Sequence, residues 1–184
     1  MDDVIRAVRA DEWLKVKQFR LAALQDPAAP IAYLETYEAA VTRPDSFWQD
    51  RAAGASHGGA ARQFIAEGPD GVWAGTVVVL VEPAGAEGVF GDVSSVPQAH
   101  LVGVYVRPES RGVGLTQELF RAAMEWAWAL DAPRIERVRL FVHQANSRAA
   151  GFYRKIGFVP TGYSVPAPGD EGERELELAV DREG

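Results

Sequence analysis

The chain contains no cysteine. A disulfide framework, a thiolate nucleophile and a cysteine-ligated zinc site are therefore excluded. Long apolar runs are absent as well. The longest, Val72 to Val81, falls far short of the roughly 20 apolar residues that a spanning helix needs, so no membrane partner is expected. Met1 to Arg9 carries acids and no apolar stretch, does not read as a secretory signal, and leaves the cytoplasm as the expected address. Basic residues are outnumbered, with 19 Lys and Arg against 26 Asp and Glu and a net charge of −7. A phosphate backbone would be repelled on average, so nucleic acid is not expected as a partner. His57, His100 and His143 are scattered without ligand spacing, so no metal is expected either.

What is present suits an ordinary globular chain. Its 184 residues, 47% of them hydrophobic, are enough for one domain spanning 1–184 with a buried core. Val4 to Val8 reads as a short strand. Asp11 stands as a candidate N-cap before a helix to about Leu24, which Asp26-Pro27 stops. Ile31 to Ala40 reads as a second helix, and Pro44-Asp45 opens a third. Arg62 to Glu67 and Val72 to Val81 form a hairpin about the turn Gly68-Pro69-Asp70-Gly71. Pro83 to Pro97, rich in Gly, Pro and Ser, reads as a mobile surface connection. His100 to Val106 is a strand and Leu115 to Leu130 an amphipathic helix. Val138 to Val142 is a strand, with alternating Arg137 and Arg139 that are expected to face solvent or cover a helix. Ser147 to Lys155 is a helix ended by Gly157. Phe158 to Val165 and Glu175 to Val180 close the chain around a polar loop, Pro166 to Glu173. The Glu/Arg alternation from Glu173 to Glu177 reads as a solvated edge strand. Hairpins together with strand–helix–strand crossovers predict an α/β chain with a mixed sheet.

The stretch Val104-Tyr105-Val106-Arg107-Pro108-Glu109-Ser110-Arg111-Gly112-Val113-Gly114-Leu115-Thr116 carries most information. A strand runs into a two-glycine turn that opens a long helix. Unpaired N–H groups and the positive end of the helix dipole lie there, and glycines let a ligand approach the backbone. Such a turn suits a phosphate or pyrophosphate. No Gly-Lys-Ser/Thr follows, which excludes a P-loop. No full Gly-x-Gly-x-x-Gly with a distant acid is present, which argues against a dinucleotide fold.

Arg111-Gly112-Val113-Gly114-Leu115-Thr116 resembles the acetyl-CoA signature of the GNAT N-acetyltransferases, with Thr116 where the family usually has Gly or Ala. A second segment, Asn146-x-x-Ala149-x-x-x-Tyr153-x-x-x-Gly157-Phe158, resembles the family's other cofactor-contact segment at every one of those positions. The resemblance is strong over about residues 98–160. It implies a mixed twisted sheet with splayed fourth and fifth strands, helices on both faces, and acetyl-CoA as cosubstrate in the wedge. Backbone groups around Val104, Tyr105 and Val106 would pair with the pantetheine arm. Arg111, Gly112, Val113, Gly114, Leu115 and Thr116 would hold the pyrophosphate, and Asn146 would contact the arm or order its loop. The family's usual dimers leave a homodimer open.

Acetyl transfer to an amine requires loss of an amine proton, donors for the oxyanion and a proton or dipole for the departing thiolate. Tyr153, where the resemblance puts a tyrosine near the sulfur, is the candidate acid. His100, where family members often carry a glutamate working through water, is the candidate base. It shares strand parity with Val102, Val104 and Val106, hence one face unless a bulge intervenes. His143 ranks below it. The expected reaction is acetylation of a primary amine on a small molecule or peptide by direct attack. A non-catalytic acyl-CoA-binding module and a transferase using another acyl-CoA are the alternatives.

Overall fold

A computed structural model describes residues 2–184. Seven strands form one sheet: β1 (Val4–Ala7), β2 (Ala61–Glu67), β3 (Trp73–Glu82), β4 (Gln98–Val106), β5 (Arg137–His143), β6 (Val159–Ala167) and β7 (Asp170–Asp181). Their spatial order is β1-β2-β3-β4-β5-β7-β6. Only β4 and β5 run parallel; every other neighbouring pair is antiparallel. The helices are α1 (Trp13–Leu24), α2 (Ala29–Ala32), α3 (Tyr37–Val41), α4 (Asp45–Gly54), α5 (Leu115–Trp128) and α6 (Ser147–Lys155).

The strand period of two sends alternate side chains to opposite faces. Phe64 and Ala66 of β2 pack into the core beneath α5, whereas Ile65 packs into a second core beneath α1 and α4. Leu115, Leu119, Phe120, Ala123 and Ala127 are the buried stripe of α5. Val16 and Phe19 of α1 meet Trp48 and Ala52 of α4 on the other face, with Trp48 fully buried. Helices thus cover both faces of a mixed sheet, as the sequence predicts.

Several expectations change. Asp11 does not cap α1; a 3-10 turn, Ala10–Glu12, precedes the helix, and Glu12 accepts from the Arg9 backbone N–H instead. The stretch 31–40 is not one helix. Tyr33 is extended, and Thr36 begins a new helix by accepting from Ala39 N–H. The polar loop near the C-terminus is only a tight turn, because β6 and β7 continue to Ala167 and Asp170.

The largest correction concerns charge. β7 is not an edge strand; it lies between β5 and β6, so Glu175 and Glu177 are buried. Arg139 neither faces solvent nor covers a helix: it is 1% exposed. Its guanidinium bonds Glu82 at 2.9 Å, Asp92 at 2.6 Å and Glu177 at 2.9 Å. Arg137 reaches Gln98 Oε1 at 2.7 Å, and Thr161 donates to Glu177 at 2.7 Å. Asp92 belongs to the 83–97 connection, which is therefore anchored to the sheet. Phe90 of the same segment packs edge-on against Phe141, with ring centroids 4.6 Å apart.

Candidate active site

β4 and β5 are paired only from Gln98–Arg137 to His100–Arg139. Beyond that point β4 runs on to Val106 and β5 to His143 without pairing, so the sheet opens into a wedge. A bulge in β4 lies at the opening. The register with β3 passes from Val78–Val102 to Thr76–Tyr105, leaving one extra residue on β4. Gly103 has φ +62° there, a conformation glycine adopts without strain.

The bulge reverses side-chain parity. Ala99, Leu101, Val104 and Val106 all pack toward the α5 core, while Tyr105 packs against Phe19 on the α1 face. His100 therefore shares its face with Val102 and Tyr105, and not with Val104 and Val106. The Arg107 N–H donates to Ala74 O across β3. By alternation the backbone groups of Val104 and Val106 point into the wedge. Both carbonyls already have a partner: Val104 O accepts from the Tyr33 hydroxyl at 2.6 Å and Val106 O from Arg111 Nε at 2.9 Å. A carbonyl has two lone pairs, so each can accept once more.

The wedge forms one cleft of about 760 Å³. Of the residues singled out from sequence, His100, Val104, Tyr105, Val106, Arg111, Gly112, Gly114, Leu115, Thr116, Asn146 and Tyr153 all line it. Val113 does not; its side chain is 57% exposed and points to solvent. Gly112 and Gly114 have φ +82° and +85°, and a Cβ at either would meet nothing within 4 Å. The turn is thus shaped by backbone conformation and leaves space at the mouth of the cleft, where the first N–H groups of the 14-residue α5 are unpaired. These residues fit a pyrophosphate, with Arg148 and Lys155 as nearby cations on the lining. Arg111 is not a free cation: its guanidinium donates to Asp26 at 2.7 Å and ties the turn to the end of α1. Asn146 caps α6, its Oδ1 accepting from Ala149 N–H at 3.3 Å.

Tyr153 is half-buried against Phe120, Phe152 and Phe158. Burial pushes its pKa up to about 12, so the phenol keeps its proton at neutral pH. His100 is 2% exposed and forms part of the cleft floor. Its Nδ1 lies 3.5 Å from Glu82 Oε2, long for a hydrogen bond. Burial would raise the Glu82 pKa, but His100 and Arg139 outweigh it and hold the carboxyl below the usual range.

Sequence reading missed Arg51, Phe141 and Glu175 of the lining, and favours core packing for Tyr33, which lines it as well. Glu175 stands opposite His143 in the β5–β7 register. Burial raises its pKa, only partly opposed by His143. A carboxyl whose folded pKa is raised contributes stability that is fully present below its unfolded value and lost as pH rises through the folded one. Glu175→Gln is therefore expected to raise Tm above neutral pH, by roughly 2–4 °C per kcal/mol gained, and to make little difference near pH 4. Thermal melts at the two pH values check this.

A sheet splayed beside a bulged fourth strand, with a glycine turn and a half-buried tyrosine facing the opening, defines an acyl-CoA-type transferase architecture. The Acetyltransferase (GNAT) family profile matches residues 20–158, and the chain belongs to that family. A Bacillus subtilis (strain 168) protein, provisionally named a ribosomal protein bS18-alanine N-acetyltransferase, is 36% identical over 82 residues, covering 45% of this chain and 52% of that protein. The match thus spans about half the length of that relative. A GNAT acetyltransferase structure from Streptococcus pneumoniae aligns with TM-score 0.71 at 16% identity over 98% of this chain and 100% of the other. Arabidopsis thaliana NAA60 in complex with acetyl-CoA aligns with TM-score 0.68 at 16% identity, covering 99% of each chain. At such identities the structural likeness speaks to fold.

Proposed function

We propose that this chain moves the acetyl group of acetyl-CoA to a primary amine of a small molecule or peptide, by direct attack within one ternary complex. The observation that carries this is the wedge itself: the Gly112–Gly114 turn, the inward backbone of Val104 and Val106, and Tyr153 all face one cleft. The cosubstrate supplies an activated acyl carbon. The turn and the α5 N-terminus hold its phosphates, and β4 aligns its arm as an added strand.

A primary alkyl amine arrives mostly protonated at neutral pH. His100, with Glu82 behind its Nδ1, takes that proton through water. The freed lone pair forms the N–C bond. The wedge-facing N–H groups of β4 stabilise the oxyanion. As the C–S bond breaks, the Tyr153 hydroxyl donates to the thiolate, so the products are an N-acetyl amine and free CoA. His143 and Glu175, paired across β5 and β7, are further titratable groups on the wall that could serve as base. A fall in kcat of about 10²-fold in Glu175→Gln, with His100→Gln near wild type, would move the base to Glu175.

Initial rates of thiol release test the reaction order. No cysteine is present, so a thiol reagent reports CoA alone. Intersecting double-reciprocal lines are expected when acetyl-CoA and amine are both varied. Parallel lines would mean a covalent acyl-enzyme and would contradict direct attack.

A further inference from the structure

At the closed end of the cleft, charge is unbalanced. Arg51 of α4 lines both the cleft and a small adjoining cavity that Phe19, Arg20, Thr76 and Gly103 also border. Arg20 and Arg51 line the cleft beside one carboxylate, Glu35, which Arg20 shares with Arg43 from outside the lining. Glu35 accepts from Arg20 at 3.2 Å and from Arg43 at 2.8 Å. Among the described residues no carboxylate pairs with Arg51, whose cation lies over the Trp48 ring at 5.8 Å. Burial, and next Arg20, push its pKa down to about 10. Arg51 is half-buried, and the nearest counter-charge acting on it, Glu35, is already shared by Arg20 and Arg43, so its partial loss of hydration carries a cost that no direct partner offsets. What relieves that cost is an oxyanion offering two acceptor oxygens to the planar fork.

We infer that the acceptor amine carries a carboxylate, and that Arg51 holds it beside the β4 bulge where acetylation takes place. The inference rests on the acetyltransfer reading and deepens it. Arg51 and Gly103 both line the large cleft, and Gly103 marks the start of the wedge, so an anion on Arg51 would sit on the side of the cleft where the reacting nitrogen is placed. An amino-acid-type acceptor meets this requirement. A diamine or polyamine does not, since it would set further positive charge against Arg51.

The test uses thiol release with amino acids, the matching amino-acid amides, aminoalkyl phosphonates and diamines. For the acids that react, kcat/KM is expected to exceed that of the amide by about 10- to 100-fold, the range for a charge-assisted hydrogen bond. Arg51→Gln should bring the acid-to-amide ratio toward one, and Arg51→Lys should recover part of it, having the charge without the fork. Acetyl-CoA titration of each variant checks that it has folded. Amides or diamines serving as well as the acids would overturn the carboxylate assignment and leave acetyl transfer standing. A phosphonate preference lost in Arg51→Gln would keep Arg51 as an anion receptor but overturn the carboxylate. Release with none of these amines, with acetyl-CoA still bound, would contradict the acetyltransfer reading and the inference with it.

Discussion

Tyr153→Phe is expected to lower kcat by about 10²-fold or more while acetyl-CoA affinity changes little. The substitution removes one hydroxyl and keeps the ring, so the contacts with Phe120, Phe152 and Phe158 survive. With its pKa pushed up to about 12, the phenol is a donor throughout the physiological range. In the proposed reaction its contribution falls on the departing thiolate, a charge that exists only as the C–S bond breaks. The loss should therefore appear in kcat, and in kcat/KM equally, with no matching change in calorimetric affinity. A variant with wild-type kcat would remove Tyr153 from the chemistry and leave it as packing.

Arg139→Met is expected to cost about 3–5 kcal/mol of stability, roughly a 10 °C fall in Tm. The methionine fills much of the volume but leaves Glu82, Asp92 and Glu177 without the cation that joins them. Removing one partner of a buried network costs more than replacing the whole network by apolar groups, because the stranded carboxylates remain. In the wild-type protein the Glu82 carboxyl is held low, so its contribution is present above its unfolded pKa and lost as pH falls through the folded one. The difference between wild type and Arg139→Met should therefore shrink on acidification. The variant should also weaken acceptor binding, because Asp92 anchors the segment whose Val89 and Phe90 line the cleft. Melts across pH, read beside the acceptor KM, check both effects. A variant as stable as wild type would show that the network offsets only its own desolvation.

The end of the cleft proposed to hold the cosubstrate is readable in the sequence because it is built locally. A strand, a two-glycine turn and an amphipathic helix follow one another within Val104 to Leu130, and Asn146 and Tyr153 belong to one helix, as its N-cap and about two turns further on. The end proposed for the acceptor is not readable, because strands distant in sequence assemble it. Arg139, Glu82, Asp92 and Glu177 look like surface charge until β7 is placed between β5 and β6, and strand order has no local signature. The same holds for Arg51 and Glu175, which reach the cleft from α4 and β7. The parity of β4 could have been doubted from Gly103 alone, since a glycine inside a β-branched run often marks a bulge. That single residue moves His100 off the face of Val104 and Val106.

Calorimetric titration of acetyl-CoA into the protein tests most directly whether the wedge is an acyl-CoA site. Saturable binding at one site per chain is expected, weakened when a side chain at Gly114 forces its positive φ to change. Absence of any binding heat, with no thiol release on addition of amines, would contradict the assignment of this cleft to acetyl transfer.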